Sequence, residues 1–283
     1  MPNLPLPHLD LGWQLGAPVV AVFVLLAVAL HRRFPRSSSA AREAAIVFGL
    51  YSLWQLVGQF AIHRVDGAIR RGEDVLRIER WLHLPAESTM QAPILSHQLI
   101  EQTANAYYLY GHFMPISVVL AWVWWRHREA YPVLRARLIV FTGLSLLVQT
   151  TPVAPPRLTP AASIVDIALL LGQSAYGPLR PGAANQLAAM PSDHVGWALL
   201  GGLTVVTVAR SRWRWLALAH PIIMIWVVVI TGNHYWLDAI VAAALLSVAM
   251  GMVAVLPWLR DRLRRTVRPQ RLYSPAAGDP PAA

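Results

Sequence analysis

The sequence predicts an all-α, polytopic membrane helix bundle of about seven transmembrane helices, on three observations. Of 283 residues, 56% are hydrophobic and only 13% charged, too few polar side chains to cover a soluble protein of this size. Seven apolar stretches, at roughly 13–30, 44–62, 106–125, 134–151, 194–209, 215–231 and 235–257, approach the length of about 20 helical residues that a bilayer core requires. The basic residues are all arginine, and 17 of the 24 fall in four clusters, at 32–42, 126–137, 210–214 and 260–271.

The first stretch has no basic residue before it and Arg32, Arg33 and Arg36 after it. It therefore reads as a retained span with its N-terminus outside, not as a cleaved leader. The positive-inside rule places all four arginine clusters in the cytoplasm, and seven spans then alternate without conflict to a cytoplasmic C-terminus. Segments 63–105, 152–193 and 232–234 are left outside. In the first of these, Val75, Leu76, Ile78, Trp81 and Leu82, then Ile94, Leu95 and Leu99, recur at helical spacing, the pattern of interfacial helices on the outer side. The second carries Pro152, Pro155, Pro156, Pro160, Pro178 and Pro181, which predicts a shaped loop around one short helix at 163–171. Beyond Arg260 the chain turns basic and then Pro/Ala-rich, a disordered tail. The organisation is thus an N-terminal helix and cytoplasmic loop at 1–43, a membrane domain at 44–259 and a tail at 260–283.

Charge and composition exclude several functions. A formal charge of +10 can signal nucleic acid, but here it lies in short clusters between apolar segments and forms no continuous basic face, so no nucleic-acid partner is expected. The absence of cysteine removes disulfides, thiolate nucleophiles and cysteine zinc sites. An all-arginine basic set points to a GC-rich bacterial genome, and so to a bacterial plasma membrane.

Two motifs carry chemistry. His234 and Asp238 open the last apolar stretch four residues apart, which puts them on one helix face. The carboxylate can accept the Nδ1 proton of His234, leaving Nε2 free to attack. Acids at a membrane edge are expensive to keep, which argues for a function for Asp238. Met190-Pro191-Ser192-Asp193-His194 opens another stretch at the same outer face, with Ser192 placed as an N-cap. The free N–H groups of such a helix start suit a phosphate. Asp193 would repel an anion there, but it can hold His194 protonated, as a general acid requires.

These residues resemble the type 2 phosphatidic acid phosphatase superfamily, and particularly its branch of inositol phosphorylceramide and sphingomyelin synthases. Besides Pro191-Ser192-Asp193-His194 and His234-Tyr235-Trp236-Leu237-Asp238, the run Pro152-Val153-Ala154-Pro155-Pro156-Arg157-Leu158 is similar to that branch's proline-rich segment. Residues 105–113 are similar to its aromatic and histidine stretch. The resemblance covers about 70–255 and implies a six-helix phosphatase-like core plus one extra N-terminal helix. It implies that His234 attacks phosphorus to give a phosphohistidine, that His194 protonates the departing oxygen and then activates the acceptor, and that Asp238 orients His234, with no metal and no cofactor. The partners it implies are a membrane lipid substrate and a polyol or lipid alcohol acceptor.

The sequence also departs from the soluble-type pattern. Val228 stands where an arginine would precede the nucleophile by six residues, and the lysine-bearing first motif is missing from a chain without lysine. The phosphoryl oxygens then need other donors. Arg157 leads, because a planar guanidinium in the outer loop matches phosphate, Arg180 follows, and Ser192 belongs with them. Asn105, Tyr108, His112, Glu87 and Gln91 are candidates for head-group or acceptor binding; Tyr107 and Glu79 are weaker ones. His220, before Pro221 in the cytoplasmic half of its stretch, reads as structural. Three readings stay open: a lipid phosphotransferase, with a simple lipid or polyprenyl phosphate phosphatase as its variant; a transporter or flippase, which would instead gather polar residues at midmembrane in paired halves; and a histidine–carboxylate metal site.

Overall fold

The computed structural model of the chain describes residues 13–62, 67–173 and 186–267. Within them all regular structure is helical. The helices are α1 (Trp13–Leu30), α2 (Pro35–Ile62), α3 (Ala68–Trp81), α4 (Glu87–Gln91), α5 (Gln98–Tyr110), α6 (Phe113–Arg126), α7 (Tyr131–Gln149), α8 (Ile167–Leu170), α9 (Asp193–Val208), α10 (Ala219–Ile230) and α11 (Trp236–Val267). Short 3-10 turns fill the joints, the longest being Arg212–Leu218, which runs into α10.

Three helical segments, Tyr131–Gln149, Arg212–Ile230 and Trp236–Val255, are long and apolar enough to cross a membrane, and a fourth if α5 and α6 count as one bent span. The apolar helices Gly16–Leu30 and Asp193–Val208 are shorter. Together they fit a multi-pass membrane protein. Outward-facing Val28, Trp125, Leu147 and Ile222 are each about two-thirds or more exposed, a distribution suited to lipid and not to water. Packing between the helices relies on small residues. On α11, Ala239, Ala242, Leu246, Ala249 and Val253 recur every three or four positions and are buried, a smooth stripe that lets α7 and α9 approach closely.

Three expected boundaries shift. The stretch at 106–125 begins instead at Gln98 and bends by 45° between α5 and α6. Pro115 explains the break: it has no N–H for the Gly111 carbonyl, and its ring crowds that carbonyl. The helix expected at 163–171 is only Ile167–Leu170, because Ser163 takes a left-handed φ of 52° that ends the preceding 3-10 turn, and Asp166 caps the new start by accepting the Leu169 N–H at 3.0 Å. The tail expected from 260 is helical through Val267, since arginine and leucine are strong helix formers; its remainder, 268–283, lies outside the described residues.

α1 and α2 form a hairpin in which Phe23 stacks on Phe48 at 5.5 Å. A half-buried ion pair ties it to the bundle: Glu43 of α2 meets Arg135 of α7 at 2.5 Å and accepts the Tyr131 hydroxyl at 3.1 Å. α9 packs against α6, α7, α10 and α11, so its first turn sits where the ends of several helices meet.

Candidate active site

α10 ends at Ile230, and the chain reverses through Gly232, whose φ of +71° favours glycine. The N–H groups of Asn233 and His234 both donate to the Val228 carbonyl at 3.1 Å, which locks the turn before α11. Asp238 is the third residue of α11. Its Oδ2 accepts the Tyr235 N–H at 2.8 Å, closing half of a capping box, and lies 3.3 Å from His234 Nδ1. A second acceptor is nearer: the Ala189 carbonyl stands 2.7 Å from the same nitrogen. Two acceptors on Nδ1 require it to carry the proton, so Nε2 of the neutral ring holds a lone pair.

α9 begins beside this turn. Ser192 is fully buried; its Oγ accepts the Val195 N–H at 3.3 Å and its own N–H donates to the Asp238 carbonyl at 3.3 Å. That link fixes one helix start to the other. His194 follows in the first turn of α9, with its ring 5.4 Å from that of His234. Tyr108 of α5 stacks almost parallel on His194 at 4.3 Å, and His112 leans on it at 4.0 Å. The Asp193 carboxylate accepts the Gln149 amide of α7 at 2.7 Å.

Beneath the pair, Tyr235 is buried, its hydroxyl donating to the Ala154 carbonyl at 2.9 Å and lying 2.8 Å from Thr159 Oγ1. Gly72 of α3 presses on the same spot: a β-carbon there would come within 2.9 Å of Thr159, Tyr235 and Ala154. Two turns later Glu79, 3% exposed, accepts the Leu237 N–H at 2.7 Å and so satisfies another free donor of the α11 start. Burial, and then the neighbouring Glu87, push the Glu79 carboxyl up to about 9. Glu79 therefore keeps its proton at neutral pH.

The remaining candidates divide. Arg157 is buried and tied to the turn: its Nε donates to Asn233 Oδ1 at 3.0 Å, its Nη1 pairs with Asp166 at 3.3 Å and its N–H donates to the Gly232 carbonyl at 3.0 Å. Arg180 lies outside the described residues. Tyr108 and His112 join the histidines. Gln91 does not; its amide bridges Val165 N–H and carbonyl and the Ile230 carbonyl, each at 2.8 Å, which makes it a clamp between loop and α10. Asn105 is likewise spent on Gln173 at 3.3 Å. Tyr107 bonds His220 at 2.5 Å across α5 and α10. The Ala189 carbonyl, Gln149 and Glu79's hold on α11 were not expected from sequence; each is a contact between distant segments, and no local pattern announces it. Among the described residues no three His, Asp or Glu side chains converge as a metal site.

The profile of the PAP2 superfamily matches residues 73–252, a segment that contains both histidines, Asp238 and Arg157. The chain belongs to the PAP2 superfamily. Members of the PAP2 superfamily are generally phosphatases, which supports an enzyme with phosphatase-type activity. The matched segment starts within α3 and ends within α11, leaving α1 and α2 outside it. No curated protein and no solved structure matched the chain.

Proposed function

We propose that this PAP2 protein is a lipid phosphotransferase working through a phosphohistidine on His234. The observation that carries the reading is the double restraint on His234 Nδ1, by the Ala189 carbonyl at 2.7 Å and Asp238 at 3.3 Å, with the His194 ring 5.4 Å away. Nε2 attacks phosphorus of a lipid phosphate ester or phosphodiester, and the bond from phosphorus to the leaving oxygen breaks. His194 delivers its proton to that oxygen. An acceptor hydroxyl then attacks the phosphohistidine, giving its proton to His194 and restoring His234. Arg157, held beside the nucleophile by Asn233, and the first N–H groups of α9 behind the Ser192 cap take the phosphoryl oxygens. Asp238 balances the charge His234 acquires.

The acceptor is an alcohol, with water as the alternative. The case for the alcohol rests on the likeness to the synthase branch and on the missing lysine motif. The assay is incubation of purified protein with labelled phospholipids, with and without a polyol or lipid alcohol, followed by lipid mass spectrometry. Transfer product that appears only with the alcohol supports the reading; free phosphate alone reduces it to a phosphatase, and no turnover of any lipid phosphate refutes it.

Seven spans, in a bacterial plasma membrane with the site outside and α3 and α4 at the outer interface, complete the proposal. The arginine clusters support it. A cysteine replacing exposed Ser163 should react with an impermeant thiol reagent from outside, and one replacing exposed Ser37 should not.

A further inference from the structure

A cavity of about 60 Å³ lies between α2, α6, α7 and α9. Val47, Leu50 and Tyr51 of α2 form one wall, Phe113 and Ile116 of α6 the second, and Trp197 of α9 the floor. The only side-chain hydroxyls and ring N–H at the wall belong to Tyr51, Ser117, Thr142 and Trp197, and the last two satisfy each other, Trp197 Nε1 donating to Thr142 Oγ1 at 3.2 Å. A water molecule needs two to four polar partners, and cavities walled by hydrocarbon stay dry and take apolar guests. The occupant this lining suits is hydrocarbon.

A chain of rings in contact links the cavity wall to the histidines. Tyr51 meets the Phe113 edge at 5.8 Å, Phe113 meets Trp197 at 5.3 Å, and Phe113 leans on His112 at 3.9 Å. His112 in turn touches His194 at 4.0 Å. A phosphate ester bound at His194 and His234 therefore has apolar wall beginning two rings away. The wall on α2 is not incidental packing of a loose hairpin, since buried Glu43, paired with Arg135 and Tyr131, fixes α2 to α7. It is also an addition to the PAP2 segment, because residues 47–51 precede the matched 73–252.

We infer that α2 supplies one wall of a groove for the hydrocarbon chain of the lipid phosphate, so that chain shape as well as phosphate decides which lipid reacts. This rests on the reading of His194 and His234 as the phosphate site. The cavity holds the part of the chain nearest the phosphate, and the rest leaves between helices into the bilayer, where chain and lipid tails are alike and no further recognition is needed.

The test compares dioleoyl phosphatidic acid in micelles with glycerol 3-phosphate, which carries the phosphate ester and no acyl chain. Leu50→Trp fills the groove from α2. It should lower kcat/KM for the lipid substrate by about tenfold, the scale of overpacking a fitted site, and leave the glycerol 3-phosphate value near wild type. Equal losses on both substrates, or none on either, overturn the proposal. Ser117→Leu fills the groove from α6 and answers the same question if Leu50→Trp does not fold. A second arm uses phosphatidic acid with a photoreactive group near the start of one chain, in vesicles with the inactive His234→Ala protein. Cross-links on α2 or α6 support the groove, and cross-links elsewhere alone overturn it. If wild-type protein turns over neither phosphate, the enzymatic reading fails and this second arm judges the groove by itself.

Discussion

The Ala189 carbonyl lies closer to His234 Nδ1 than Asp238 does, 2.7 Å against 3.3 Å. A backbone carbonyl can only accept, so the tautomer of His234 is held even when the carboxylate is altered. In a triad where the acid alone fixes the tautomer, its amide variant loses about 10⁴ in rate.

Asp238→Asn should therefore lose less, about 10²-fold in kcat, the part owed to the missing charge beside the developing imidazolium. Its amide oxygen can still accept the Tyr235 N–H, so the protein should remain folded. A steady-state comparison on one lipid substrate checks this, and a loss near 10⁴ would mean that Ala189 does not set the tautomer.

Tyr108 acts on His194 through its face. The rings are 4.3 Å apart and 12° from parallel, so Tyr108→Phe should keep kcat close to wild type. Tyr108→Ala frees the imidazole to tilt and should cost about tenfold or more. If the phenylalanine variant is as slow as the alanine one, the hydroxyl and not the stack is what matters.

Much of this site is legible in the sequence, and the reason is local geometry. A spacing of four from His234 to Asp238, and a serine two before His194, dictate helix-start chemistry that can be read from local sequence. Glu79, Gln149 and the Ala189 carbonyl depend instead on how far-apart segments pack. Gln91 and Asn105 mislead for the opposite reason: a buried amide is equally suited to a ligand or to stray backbone groups, and here backbone and Gln173 claim them. The helix boundaries moved where Pro115 and the left-handed Ser163 acted, both backbone effects that hydropathy cannot register.

Glu79 makes a pH prediction. Its carboxyl is raised from an ordinary 4.5 to about 9 by burial, by Glu87 and more weakly by Asp238, with the Leu237 N–H opposing. Between those values the folded protein binds a proton that the unfolded chain has lost, so stability falls as pH rises from about 4.5 to about 9. Glu79→Gln mimics the protonated form, accepting from the Leu237 N–H and placing no charge beside Glu87. Thermal unfolding in detergent should show it matching wild type near pH 4.5 and exceeding it at pH 8. A variant less stable than wild type at pH 8 would contradict a protonated Glu79.

Arg157 is predicted to serve phosphate as well as the turn. Arg157→Ala should lower kcat by about 10² to 10³, the scale for one strong oxyanion donor. Asp166→Asn breaks the ion pair at 3.3 Å and should lower the unfolding temperature while leaving kcat near wild type. Equal kinetic losses in both variants would assign Arg157 to holding the loop alone.

The phosphohistidine itself is the most direct test of the account. Purified protein mixed with a lipid carrying labelled phosphate, quenched without acid and digested for mass spectrometry, should carry the phosphoryl group on His234. The His194→Ala variant, unable to activate the acceptor, should hold the label longer once formed from a substrate with a good leaving group. Label on His194, or turnover by a folded His234→Ala protein at the wild-type rate, would contradict the mechanism.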